Sequence, residues 1–207
     1  MTNNGLLIVF SGPSGAGKDT ILKRLMEKNP NIRLSVSATT RRPRTGEANG
    51  TDYFFISKEK FEVMNAGGEM LESAQYCGNC YGTPAAPIRR WCSEGCDVIL
   101  EIEVQGGRQV QQKCPDAVSI FILPPSMDVL ERRLRSRGTE EESVIQKRLE
   151  KAREEIAESS HYDYYVINDT VDDAVEKINR IICAEKQKVH RNANLIERML
   201  NHAETIC

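Results

Sequence analysis

Leu6-Leu7-Ile8-Val9-Phe10-Ser11-Gly12-Pro13-Ser14-Gly15-Ala16-Gly17-Lys18-Asp19-Thr20 is the stretch from which the rest of the chain can be read. Five apolar residues run straight into glycines, the pattern of a buried strand that ends in a loop. Ile21, Leu22, Leu25 and Met26 then recur at helical spacing, and Asn29-Pro30 closes the helix. Between strand and helix, Gly12, Pro13, Ser14, Gly15, Ala16, Gly17 and Lys18 fit G-x-x-x-x-G-K in the strand–loop–helix context that the motif requires. Glycines let backbone N–H groups turn inward, the helix N-terminus adds partial positive charge, and Lys18 adds a full one. A triphosphate suits such a cradle. The residue after the lysine is usually Ser or Thr, a magnesium ligand; here it is Asp19, followed by Thr20. Either Asp19 enters the metal shell, directly or through water, or it points away and water fills the position. The Thr20 hydroxyl is expected to reach phosphate.

Further strands alternate with helices. Asp97 to Val104, Ala117 to Leu123 and Tyr164 to Ile167 read as three more core strands, the second stopped by Pro124-Pro125 and the third by Asn168-Asp169. Ser126 is placed to cap a helix with Leu130 and Leu134 on one face. Thr139 to Glu142 reads as a capping box opening a helix with Ile145, Leu149, Ala152 and Ile156 on one side. Val171 to Ile182 is strongly amphipathic, and Leu195, Ile196, Met199 and Leu200 make a weaker helical stretch. Thr83-Pro84 is expected to be an N-cap and first helical position, with Gly95 after that helix ends. Such alternation predicts an α/β fold, a mostly parallel sheet flanked by helices. Its ligands bind at the carboxyl ends of the strands.

The segment from Ser37 to Pro87 differs, being rich in Thr, Arg, Gly and Tyr with short alternating runs and one helix from about Lys58 to Asn65 capped by Ser57. It reads as a mixed α+β lobe inserted into the core. The organisation expected is a core of 1–36, 88–127 and 157–207, a lobe of 37–87 and a helical lid of 128–156.

The 207 residues suit one such domain, and a formal charge of −2 means that any anion site is built locally. Nothing points to a nucleic-acid partner. The apolar start is too short for a membrane span and has no basic flank, so a cytoplasmic location is expected.

Ser37-Ala38-Thr39-Thr40-Arg41-Arg42-Pro43-Arg44-Thr45-Gly46-Glu47 places three arginines within four positions, and Pro43 keeps the stretch extended or turned. Fork-shaped guanidinium groups suit phosphate. This run resembles the GMP-binding lobe of guanylate kinases. So do Asn49-Gly50-x-Asp52-Tyr53-x-Phe55 and the pattern E-x-A-x-x-x-G-N-x-Y-G-T from Glu72 to Thr83. The likeness continues through Ile99 to Gly106, Pro124-Pro125-Ser126, Arg137-Gly138-Thr139-Glu140, Arg148-Leu149 and Val166-Ile167-Asn168-Asp169, covering the chain to about residue 186.

The resemblance implies transfer of a phosphoryl group from ATP to GMP, and to dGMP, with magnesium. By position, Arg41, Arg44, Tyr53 and Tyr81 would hold the GMP phosphate, and Ser37, Glu72 and Thr83 would read guanine. A carboxylate can accept guanine N1–H and the exocyclic amine together, whereas adenine offers an acceptor at N1. Glu101 and Glu103 are expected to end a strand on one face and to divide magnesium water and GMP contacts between them. The lid arginines are matched by Arg137 and Arg148, which with Lys18 and Arg41 would surround the transferring phosphoryl; Arg132, Arg133 and Arg135 are read as solvated. Asn168 matches a position near adenine.

Cys77-x-x-Cys80, Cys92 and Cys96 could in principle form a zinc set, but the last two fall on a helix and its exit, and free thiols are the expectation. A catalytically silent, guanylate-kinase-like protein-binding module is the alternative reading. Oligomeric state, including a homo-oligomer, stays open.

Overall fold

The computed structural model describes residues 4–76, 78–136, 141–193, 197 and 199. In chain order these give β1 (Leu7–Ser11), α1 (Lys18–Lys28), β2 (Ile32–Leu34), β3 (Ala38–Thr39), β4 (Phe54–Phe55), α2 (Lys58–Ala66), β5 (Met70–Tyr76) and β6 (Asn79–Pro84). The second half supplies α3 (Ala85–Ser93), β7 (Asp97–Glu101), α4 (Val104–Lys113), β8 (Val118–Leu123), α5 (Met127–Arg135), α6 (Glu142–Ala157), β9 (Tyr164–Ile167) and α7 (Val171–Lys186).

β1 is the centre of a five-stranded sheet ordered β2-β7-β1-β8-β9, in which every pairing is parallel. A parallel sheet needs cover on both faces, and its strands alternate between two apolar clusters. Ile8 and Phe10 meet Ile21, Leu22 and Leu25 of α1 and Val175 and Ile178 of α7. Val9 points the other way, to Val98, Leu100, Val110 of α4 and Ile88 of α3. Each such fully buried side chain contributes about 1.5–3 kcal/mol relative to exposure. A third cluster joins α5 and α6 through Leu130, Leu134, Ile145, Leu149 and Ala152.

Residues 37–84 form a separate four-stranded sheet ordered β4-β3-β6-β5, with Ala38, Phe61 and Met70 at its centre. Thr39 and Thr40 stitch it together: the Thr39 hydroxyl donates to the Cys80 carbonyl at 3.0 Å, and the Cys80 N–H donates to the Thr40 hydroxyl at 2.9 Å.

The caps at Ser57 and Ser126 form, each hydroxyl accepting an N–H three residues on. Three boundaries differ from the sequence reading. Pro84, not Thr83, is the N-cap of α3, because the Thr83 side chain is buried and engaged elsewhere. The strand begun at Asp97 stops at Glu101, and Val104 opens α4; Val104 is buried by helix docking, which an apolar run cannot tell from strand burial. Helix α6 begins at Glu142 with Glu141 at its N-cap and no side-chain cap, two residues later than a box opened by Thr139 would start it. Thr139 itself lies outside the described residues, as does most of the stretch from Leu195 to Leu200. Among the described residues no helix is long and apolar enough to cross a membrane.

Candidate active site

The loop between β1 and α1 wraps the N-terminus of α1. Gly17, the N-cap, sits at φ 90°, a left-handed conformation open to glycine, and a Cβ there would lie 2.4 Å from Asn168 Nδ2. That nitrogen donates to the Ala16 carbonyl at 2.7 Å, tying the loop to the end of β9. The Lys18 ammonium folds back over the loop and donates to the Gly12 carbonyl at 2.8 Å.

Arg133 overturns its reading as a solvated residue. From α5 it donates to the Ala16 carbonyl at 3.3 Å and to the Asn168 carbonyl at 3.0 Å, so three elements meet at one point of the loop. The sequence signal for this was weak, because Arg132, Arg133 and Arg135 look alike in a basic helix. Arg135 pairs with Glu131 and Glu142, joining α5 to α6.

A cleft of about 400 Å³ opens beside the loop. It is lined by Gly12, Ser14 and Lys18 from the loop, Tyr53 from the small sheet, Glu101 to Val104 from the β7–α4 junction, and Arg148, Lys151 and Glu155 from α6. Glu101 and Glu103 do not share a strand face. Glu101 ends β7, whereas Glu103 is the exposed N-cap of α4, and Lys151 donates to both its oxygens at 3.2 and 3.3 Å. The Ile102 carbonyl between them accepts the Ser11 hydroxyl at 2.7 Å, which turns the chain out of the sheet.

Burial pushes the Glu101 carboxyl up to about 7 against the lowering pull of Lys18, and Asp19 raises it further through its like charge and a hydrogen bond. Asp19 thus lies near enough to act electrostatically on Glu101. The two carboxyl groups supply hard oxygen donors beside the phosphate loop, the chemistry that suits a divalent cation such as magnesium. Thr20, in the first turn of α1, is exposed.

On the small sheet, Arg41 bonds Glu47 at 2.7 Å and stacks 5.5 Å from the Tyr53 ring centre, and Tyr53 meets Tyr81 edge-on at 6.1 Å. Glu47, to which sequence reasoning gave no role, holds both the Arg41 side chain and the Arg44 backbone N–H. Its carboxyl is lowered chiefly by the Arg41 hydrogen bond. The Arg44 side chain is exposed, and Ser37 is half-buried at the mouth of β3.

Deeper in, Glu72 is 5% exposed and its Oε1 accepts the Thr83 hydroxyl at 2.7 Å. Burial pushes this carboxyl above its ordinary range, against the lowering effects of Thr83 and the Lys113 charge. Met70 pairs with Pro84 and Ser73 with Gly82, so a bulge sets Leu71 and Glu72 against Thr83 alone. The bulge buries two consecutive side chains, which strand alternation would not allow.

Arg137 and Cys77 lie outside the described residues. Of the other thiols of the conceivable zinc set, Cys80 packs on the small sheet's core, whereas Cys92 packs under the large sheet. Among the described residues no group of three or more His, Cys, Asp or Glu is arranged to hold a metal.

A guanylate kinase family model matches residues 4–185. Guanylate kinase of Clostridioides difficile (strain 630) is 54% identical over 192 residues, 93% of this chain and 94% of its own. That of Lactococcus lactis subsp. lactis (strain IL1403) is 48% identical over 206 residues, spanning 100% and 99% of the two chains. A crystal structure of guanylate kinase from Anaplasma phagocytophilum shares the fold with a TM-score of 0.71 and 35% identity, covering 91% of this chain and 89% of that one. With its phosphate loop, arginine–tyrosine cluster and buried Glu72–Thr83 pair disposed as described, this chain belongs to the guanylate kinase family.

Proposed function

We propose that this chain transfers the terminal phosphoryl group of ATP to GMP, giving ADP and GDP, and accepts dGMP in the same way. The observation that carries the reading is the shared cleft, in which Lys18, Tyr53, Glu101 and Arg148 come from four separate parts of the fold. A donor on the loop and an acceptor on the small sheet would meet there.

The phosphate loop and Lys18 bind the ATP phosphates. Asn168 uses its amide donor on Ala16 and keeps a buried, unpartnered Oδ1, the acceptor that an adenine amine requires. Arg41, Arg44, Tyr53 and Tyr81 hold the GMP phosphate, with Glu47 bonded to the Arg41 guanidinium. Glu72 accepts guanine N1–H and the exocyclic amine. Because the Thr83 hydroxyl gives its one proton to Glu72, Ser37 is the hydroxyl left to donate to guanine O6. Adenine would set its N1 lone pair against a buried carboxylate, which rejects it.

The attacking GMP phosphate oxygen is already an anion, so no strong base is needed, and catalysis consists of alignment and charge stabilisation. Arg148 and Arg137 close over the donor and neutralise the moving phosphoryl. Asp19 and Glu101, with water, are the residues that would hold magnesium; when bound, the ion neutralises charge on the ATP phosphates. Closure of α5 and α6 excludes water and limits wasteful hydrolysis. A silent binding module would have no need of Lys18 and Arg148 in one cleft. Coupled measurement of ADP release with GMP present and absent tests the reading: turnover that depends on GMP supports it, and GMP binding without turnover contradicts it.

A further inference from the structure

Glu72 sits on the outermost strand of the small sheet, a poor place from which to read a base accurately. β5 ends the order β4-β3-β6-β5, so one edge of it has no strand neighbour. An unpaired edge leaves backbone N–H and C=O groups that need partners. The bulge at Leu71 and Glu72 adds to that need, because ladder bonds are lost there.

The missing neighbour is a helix of the core. One stripe of α4, at positions 106, 109 and 113, lies along β5, since residues three, four and seven apart share a helix face. Gln109 takes the place of a strand residue. Its Oε1 accepts the Ser73 N–H at 3.1 Å and its Nε2 donates to the Ser73 carbonyl at 2.9 Å. On the far side of the bulge, Lys113 donates to the Met70 carbonyl at 3.1 Å. Both flanks of the bulge are therefore held by side chains of α4.

Gly106 completes the seat. A Cβ there would lie 3.0 Å from Glu72 Oε2 and 3.4 Å from its Cδ and Cγ, tighter than ordinary contact. Glycine in a helix costs about 0.5–1 kcal/mol relative to alanine. Helix propensity alone would favour alanine at 106, and the room needed by Glu72 opposes it. The neighbouring Gly107 answers a separate demand, since a Cβ there would meet the Tyr162 hydroxyl at 2.7 Å.

We propose that α4 is a clamp for the base-reading strand, with Gln109 and Gly106 as positioning residues that fix where Glu72 meets the purine. The inference rests on Glu72 reading guanine. Neither residue lines the cleft. Each acts through Glu72, so its effect falls on acceptor recognition and base preference rather than on phosphoryl transfer.

The test compares GMP with IMP, which keeps N1–H and lacks the exocyclic amine, in Gln109→Ala, Gly106→Ala, Glu72→Gln and the double variant Gln109→Ala/Glu72→Gln. Gln109→Ala removes two bonds that set the strand edge and should raise the GMP KM about tenfold. Gly106→Ala displaces the carboxylate by a few tenths of an ångström and should raise it about threefold. In both, kcat and the ATP KM should stay within about twofold, and the preference for GMP over IMP should fall. In the Glu72→Gln background, Gln109→Ala should no longer change that preference. Gly106→Ala places a better helix former in α4, so it carries the test even should Gln109→Ala unfold. Equal increases in the KM of GMP and IMP, or an unchanged GMP KM, would overturn the clamp. If Glu72→Gln itself left the GMP-over-IMP preference intact, the base-reader assignment would fail first. If Glu72→Gln abolished the preference and the α4 variants kept it, the clamp alone would be wrong.

Discussion

Replacing Glu72 by glutamine changes one oxygen to nitrogen and keeps the volume, so it isolates the charge and the hydrogen-bond pattern of the proposed base reader. In the native site Oε1 takes the Thr83 hydroxyl, and the carboxylate retains lone pairs for two guanine donors. A glutamine offers one acceptor and one NH₂ group. Against guanine it keeps one bond and faces a donor with a donor. The loss is one charge-assisted bond of about 1.5–3 kcal/mol, with a further penalty of about 1–3 kcal/mol for the unpaired buried donor. Partial relaxation brings the sum to about 3 kcal/mol, or about a hundredfold in kcat/KM for GMP. Adenine presents an acceptor at N1, which the amide NH₂ can satisfy and a carboxylate cannot, so activity with AMP should rise while that with GMP falls. Folding responds in the opposite sense. The Glu72 carboxyl is raised above its ordinary value in the folded state, so its ionisation works against folding. The neutral variant should unfold at the same temperature or higher. ADP release coupled to an oxidation of NADH, read with GMP and AMP in turn, gives the ratio. A GMP kcat/KM within about threefold of the parent would refute the assignment of Glu72 to the base.

Arg148→Ala should lower kcat by about 10³-fold or more with little change in the GMP KM, as for arginines that act on the transferring phosphoryl; a raised GMP KM alone would remove it from that role. Arg133→Met should raise the ATP KM and leave the GMP KM unchanged, because it unties α5 from the Ala16 and Asn168 carbonyls; equal changes in both would show a general loss of structure. The Glu101 carboxyl, at about 7 when folded, has been raised above its unfolded value. Its protonation therefore stabilises the fold fully below the ordinary carboxylate range, and that stability is lost as pH rises through about 7. Without nucleotide or magnesium, the chain should be more stable to urea at pH 6 than at pH 8 by on the order of 1 kcal/mol, discounted for partial solvent access. Asp19→Ser removes the like charge and should shrink that difference; a difference unaltered by the substitution would contradict the influence of Asp19 on Glu101.

The core was readable because its signals are local. The run from Leu6 to Phe10, the glycines after it and the amphipathic face of α1 follow one another within twenty-odd positions, and the caps at Ser57 and Ser126 need partners only three residues away. The short strand Ile32–Leu34 gave too brief an alternation to be seen, although it closes one edge of the sheet. Val104 was misplaced because apolar burial has the same signature in a strand and in a docked helix. In the site, motif residues could be named from resemblance, but the contacts that set their geometry lie far apart in the chain. Arg133 reaches Ala16 across 117 positions, and Gln109 reaches Ser73 across 36. Nothing in a basic helix distinguishes the arginine that turns inward, and nothing in Val104 to Lys113 announces that a glutamine replaces a strand.

The central claim is that one cleft joins an ATP donor to a guanine-specific acceptor site. The most direct test is ADP release from ATP and magnesium by the purified chain, with GMP, AMP, UMP and CMP offered separately. The account predicts rapid turnover with GMP and little with the other three. Turnover with another monophosphate in preference to GMP would contradict the base-reader geometry at Glu72, and GMP binding with no turnover at all would contradict the account of the cleft.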